Sequence, residues 1–164
     1  MFRQAKVGIA VALAGLLSLT AGAAALRSAA SERPRSLGVL AQGEKVRASQ
    51  GSWCYSGRRT GMCADYGYPL RVRNSIPVEP GRRVTFQFHD PAIESVSATL
   101  LRVRGNRIRK RGALEQIERV EGNPRAWRAT VPVDAGNANR IDIFATYKEN
   151  RGDSNWWAGI RMGD

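Results

Sequence analysis

Beyond residue 43, apolar side chains recur at every second position in short runs, and Gly, Pro, Asn or Asp closes each run. Period two is the spacing of a strand with one buried face. Arg83 to His89 is the clearest case: Val84, Phe86 and Phe88 share one face, Thr85 and Gln87 the other. Glu79-Pro80-Gly81 turns the chain before it, and Asp90-Pro91 ends it because Pro cannot donate to a ladder. Ser95 to Arg104 is a longer strand. Gly105-Asn106 then forms a two-residue hairpin turn, which sets Arg104 opposite Arg107, Val103 opposite Ile108 and Arg102 opposite Arg109. Val103 and Ile108 are expected inward and the four arginines outward.

Further inward faces follow at Trp127, Ala129 and Val131, at Ile141, Ile143, Ala145 and Tyr147, and at Trp156, Ala158, Ile160 and Met162. Lys45 to Gln50 is the expected first strand, and Leu70 to Arg73 another short one. The stretch Gly51 to Tyr68 reads as a loop, as does Lys148 to Ser154. Leu114, Ile117 and Val120 are three apart, a spacing that suits one or two helical turns. The expectation is all-β: an immunoglobulin-like two-sheet sandwich of about seven to eight short antiparallel strands over residues 44–164. No internal repeat is seen.

The N-terminus is of another kind. Arg3 and Lys6 precede the apolar run Val7 to Leu19, and Ala21, Ala23, Ala24 and Ala25 follow. A charged start, an apolar middle and an Ala-x-Ala end form a secretory signal peptide. Residues 1–25 are therefore the expected signal, cleaved after Ala25 (Ala23 offers a second point). The alternative is an uncleaved anchor, since Val7 to Leu26 is 20 residues, enough to span a bilayer. Residues 26–43, whose Arg, Ser, Ala and Pro content offers little repeated apolar periodicity, are expected to be a flexible tether. The protein is expected outside the cytoplasm, secreted or at a bacterial cell envelope.

Export bears on Cys54 and Cys63, the two cysteines of the chain. An isolated pair in an exported protein is a disulfide by default. The spacing is no CxxC redox motif, and two thiols without a nearby His make a poor zinc site.

An ordered series of short motifs carries a family resemblance. It runs from Gly51-Ser52-Trp53-Cys54 through Cys63-Ala64-Asp65-Tyr66, then Ile76-Pro77-Val78 with Pro80-Gly81. It continues to Ile143-Phe144-Ala145 and to Gly152-Asp153 before an aromatic strand. Over about Lys45 to Met162 the chain resembles a group of secreted or lipid-anchored bacterial immunoglobulin-like β-sandwich proteins, mostly Gram-positive. The resemblance implies an exported sandwich and supplies no catalytic residues. The chain lacks the lipobox cysteine common in that group.

The net charge is +12, and removing Arg3 and Lys6 with the signal leaves +10. Such a balance favours anionic neighbours: wall polymers, acidic headgroups, polyanionic saccharides or nucleic acid. Arg outnumbers Lys by 22 to 4, and genomic base composition alone can produce that bias. Arg102, Arg104, Arg107 and Arg109 concentrate charge on one hairpin. Like charges directly opposed across a sheet are destabilising, and an anion would relieve them. The competing explanation is a solvated edge whose charge blocks aggregation. Nucleic acid is the least favoured anion for an exported domain.

Catalytic signals are weak. His89 is the one histidine, at a strand end beside Asp90, where solvation alone explains it. There is no Gly-x-Ser-x-Gly elbow, Walker loop, dinucleotide fingerprint or EF-hand. No carboxylate pair stands out among Asp65, Glu79, Glu94 and Glu149. No metal and no cofactor are expected, and no enzymatic activity. Trp53 beside the disulfide and Trp157 on an outward face form a possible aromatic contact surface. Trp53 packed over the disulfide is an equal alternative. Arg151-Gly152-Asp153 spells an integrin-read tripeptide, which a turn explains as well.

The leading expectation is a non-enzymatic envelope module binding an anionic polymer or headgroup. A structural accessory subunit, partnered by an envelope protein, is the alternative, and an envelope enzyme the third.

Overall fold

The computed structural model describes residues 36–56 and 61–163. The expected signal peptide and most of the expected tether lie outside the described residues.

The alternating runs build two sheets. The strands are β1 (Leu37–Ala41), β2 (Glu44–Arg47), β3 (Ser49–Ser56), β4 (Gly61–Ala64), β5 (Ser75–Val78) and β6 (Arg83–Phe88). They continue as β7 (Ile93–Arg104), β8 (Arg107–Ala113), β9 (Glu115–Arg119), β10 (Ala126–Thr130), β11 (Arg140–Tyr147) and β12 (Gly152–Met162). One sheet has the order β2-β1-β6-β10-β9 and the other β4-β3-β12-β11-β7-β8. Pairing is antiparallel throughout except for β5, which runs parallel to β12. The edge of β12 is shared: its first half pairs with β3 and its last four residues with β5.

The core lies between the sheets. Val84, Phe86 and Phe88 of β6 are buried there, as are Ile141, Ile143, Ala145 and Tyr147 of β11. Trp156 meets Phe88 edge to face at 5.6 Å between centroids. The turn at Pro80-Gly81 is present, with Gly81 at φ 74°.

Several expectations need correction. The domain begins before Lys45: Leu37–Ala41, assigned to the tether, is an inner strand paired with both β2 and β6. Leu37 and Val39 are fully buried. Gly51–Tyr68 is not a loop but chiefly the β3–β4 hairpin, and Leu70–Arg73 has no strand pairing. Residues 107–119 form two strands, not helical turns. Gly112, at φ 152°, bends the chain between the sheets, and Leu114 anchors that corner by donating its N–H to Ala98.

Cys54 and Cys63 are directly opposed in the β3–β4 ladder and form the disulfide. A disulfide marks an oxidising environment. The short loop it closes is worth about 2.5–3 kcal/mol in the chain-entropy view. Replacing both cysteines by Ala is expected to remove about that much, measured as a lower urea midpoint with a slope equal to or slightly above that of the cross-linked chain.

The outer face of the larger sheet is covered over β3 and β12 by a strap, residues 65–74. Its Tyr68 packs on Trp157 at 5.3 Å between centroids. Tyr68 also accepts a hydrogen bond from Asn155 Nδ2. The Tyr66 N–H donates to Ser52 Oγ (3.2 Å), and Ser49 Oγ donates to the Arg71 carbonyl (2.7 Å). Leu70 and Val72 fit against Gly51 and Gly159, where a Cβ would meet them within 3.0 Å.

Asp142 sits beneath this strap and accepts from Asn155 at 3.2 Å. Burial pushes its carboxyl above the usual range; Asn155 and, more weakly, the Trp157 N–H oppose the rise. A raised folded value means the native state binds the proton more tightly. Asp142 therefore favours folding least when ionised, and stability falls as pH climbs from the unfolded value, about 3.9, through the folded one. Asp142→Asn is expected to be more stable than wild type at pH 7.5 and to lose that advantage near pH 3. Urea midpoints at the two pH values check it; a loss at pH 7.5 would show that the carboxylate's hydrogen bonds outweigh its burial.

Candidate anion-binding hairpin

The β7–β8 hairpin has the register expected from its turn: Arg104 opposite Arg107, Val103 opposite Ile108 and Arg102 opposite Arg109. Gly105 takes the positive φ (54°) that such a tight turn demands of its first residue. Beyond Leu101–Lys110 the register shifts at a bulge, so that Leu100 faces Gly112 and Arg111 is the extra residue.

The facing is the reverse of the expected one. Ala98 and Leu100 of β7 are buried in the core, and side chains alternate along a strand. Arg102 and Arg104 therefore continue the core-side face. Val103 and Ile108 lie on the opposite face, with Ile108 39% exposed. The physical reason is length. β7 is twelve residues long, and past Leu100 its core-side positions leave the buried core, Arg102 being half-buried and Arg104 exposed, so that side ends in a polar wall.

That wall is one side of a cleft of about 270 Å³ lined by Arg102, Arg104, Arg107, Arg109, Arg111 and Asn137. The loop before β11 bounds it. The Asn139 side chain grips β7 as a further strand would, accepting from the Val103 N–H and donating to the Val103 carbonyl, both at 2.9 Å. Arg102 Nη1 donates to the Asn137 carbonyl at 2.8 Å, while its Nε is buried without a partner. Arg102 is thus half-buried and fixed, and the other four are exposed.

Among the described residues no carboxylate lines the cleft. Among the described residues the ion pairs are Arg82–Glu79 at 3.5 Å and Arg161–Glu44 at 3.9 Å, and neither involves the hairpin. Five guanidiniums thus converge without a counter-charge. On the other side of the hairpin Val103 and Gly105 line a shallow hollow with the strap, where Arg71, Arg73 and Arg140 add further positive charge. Sequence reasoning identified four of the five cleft arginines. Arg111, which with Lys110 adds to the hairpin's charge in the sequence, is brought into the cleft at the bulge; Asn137 was missed, because only the tertiary path of the chain brings it near.

The other candidates fare differently. Trp53 and Trp157 form no aromatic contact surface, since they are only 6% and 1% exposed. Trp53 lies in the main core, and Trp157 does face outward but under the strap. His89 is exposed. Arg151-Gly152-Asp153 is no protruding loop: β12 begins at Gly152, and Arg151 lies over the Tyr55 ring at 6.0 Å. Among the described residues no group of three metal-ligating side chains is found, and no helix is long and apolar enough to cross a membrane.

Compared with known protein families and with curated proteins, the chain matches none.

Proposed function

We propose that this protein is an exported, non-enzymatic binding module of the bacterial cell envelope, immunoglobulin-like in fold, whose arginine cleft takes an anionic polymer or headgroup. The observation that carries this is the cleft itself: five arginines, one of them held by a carbonyl, and no carboxylate among the described residues that line it. A hairpin whose charge served only to discourage aggregation needs no concave arrangement and no clamp such as Asn139. The amino-terminal apolar segment and the disulfide support placement outside the cytoplasm, and the ordered motifs shared with secreted sandwich proteins agree with it.

Retention of the protein on an immobilised polyphosphate or acidic polysaccharide, measured against salt, tests the proposal. Binding is expected to weaken steeply as salt rises. Salt-independent capture of an envelope protein, with no retention on either polymer, would favour an accessory subunit instead.

A further inference from the structure

The smaller sheet carries a second concave basic surface that the hairpin does not touch. A cleft of about 320 Å³ opens where the described chain begins, lined by Ser36, Leu37, Gly38, Lys45, Arg47, Gln87, Phe88, His89 and Arg125. Its floor is Gly38, which pairs with Arg47 on one side and Gln87 on the other. The Lys45 side chain crosses it, its Cε 2.7 Å from where a Cβ on Gly38 would stand. Gln87 holds the Lys45 ammonium in place by accepting from it at 2.8 Å.

We propose that this cleft is a second, separate anion site, for a phosphate-bearing group. Lys45 and Arg47 come from β2, His89 from the end of β6 and Arg125 from the turn before β10. The cationic and imidazole groups thus come from three elements rather than from one strand. A planar carboxylate is satisfied by one bidentate arginine, whereas the oxygens of a phosphate diverge. Among the described residues no carboxylate lines the cleft, and neither ion pair draws on it. The volume leaves room for a substituent on the phosphate.

The two sites lie far apart. β6 ends at Phe88, and after four residues β7 begins at Ile93 and runs to the arginine hairpin at its other end. Twelve residues of strand span about 36–40 Å. One molecule can therefore hold two anions at once. The cleft also borders Ser36, which connects directly to the basic segment containing Arg27, Arg33 and Arg35 and to the apolar run before it. A phospholipid headgroup and a soluble phosphate are the two sources of this chemistry.

The full chain, titrated with inorganic phosphate at constant ionic strength, is expected to show saturable amide shifts at Gly38 and His89. Arg47→Gln with Arg125→Gln should weaken that response at least tenfold while leaving the circular dichroism unchanged. Lys45→Gln alone should weaken it several-fold, and it serves if the double variant misfolds. Shifts at Gly105 and Asn106 report the hairpin in the same titration, so failure of one site is visible apart from the other. A second arm measures cosedimentation with phosphatidylglycerol vesicles against phosphatidylcholine vesicles. Loss of the phosphatidylglycerol preference in the double variant assigns the cleft to headgroups; phosphate shifts with no such preference assign it to a soluble phosphate. Absence of saturable shifts at Gly38 and His89, or their persistence at wild-type affinity in both variants, overturns the proposal.

Discussion

Gly152→Ala is expected to remove a large part of the domain's stability. Gly152 opens β12 at φ 110°, a conformation that L side chains rarely adopt, and this strain alone costs about 1–2 kcal/mol. The steric term is larger. A Cβ there would sit 2.0 Å from the Cys54 carbonyl oxygen and 2.8 Å from its carbon. Both atoms are backbone, so no rotamer change relieves the contact. The β3–β12 ladder must open where the disulfide and Tyr55 fix β3, in a sheet whose central strand is buried from Ser154 to Ile160. The combined loss is expected to exceed about 4 kcal/mol, against a total stability of about 5–15 kcal/mol for a domain. Gly43→Ala is the matched control. Gly43 also has positive φ (81°), but nothing lies within 4 Å of its Cβ position. It should lower stability by about 1 kcal/mol and leave the fold intact. Near-ultraviolet circular dichroism and thermal melts compare the two; equal losses would mean that the close approach at Cys54 does not constrain the sheet.

How much of this was legible in the sequence depends on how local each cause is. The β6 face, the Pro80-Gly81 turn and the hairpin register rest on alternation and turn chemistry within a few residues, and those expectations held. β1 was missed because Leu-Gly-Val-Leu-Ala does not alternate: Gly38 supplies no polar side chain on the outer face, and Leu40 is only half-buried there. The helical spacing of Leu114, Ile117 and Val120 was a coincidence of two strands meeting at a corner. The hairpin's facing was inverted because apolar Val103 and Ile108 were assigned to the core. The rule that apolar residues point inward presumes a buried core on that side, and β7 extends beyond it. Trp157 shows the same limit from the other side. Its outward direction followed from alternation, but its burial depends on a strap 83 or more residues earlier in the chain. The candidate site was therefore legible as a set of charges and illegible as a shape.

That shape makes a quantitative claim about salt. With four or five cationic contacts, binding to a flexible polyanion should follow a log–log salt slope of about −3 to −3.5, or roughly 50–130-fold weaker binding between 50 and 200 mM salt. Replacing Arg102, Arg104, Arg107 and Arg109 by Ser leaves Arg111 as the remaining cleft arginine. The slope should fall to about −0.7, and affinity at low salt should drop on the order of a hundredfold. The variant should remain folded, because three of the four arginines are exposed and the substitution removes two repelling cross-strand pairs. Replacing the same four by Lys separates charge from geometry. Lysines preserve the slope, but they lack the planar fork, so affinity should fall several-fold if guanidiniums grip the anion bidentately. Equal slopes for the wild type and the serine variant would take the hairpin out of the binding altogether, and the converging arginines would then be a solvated edge.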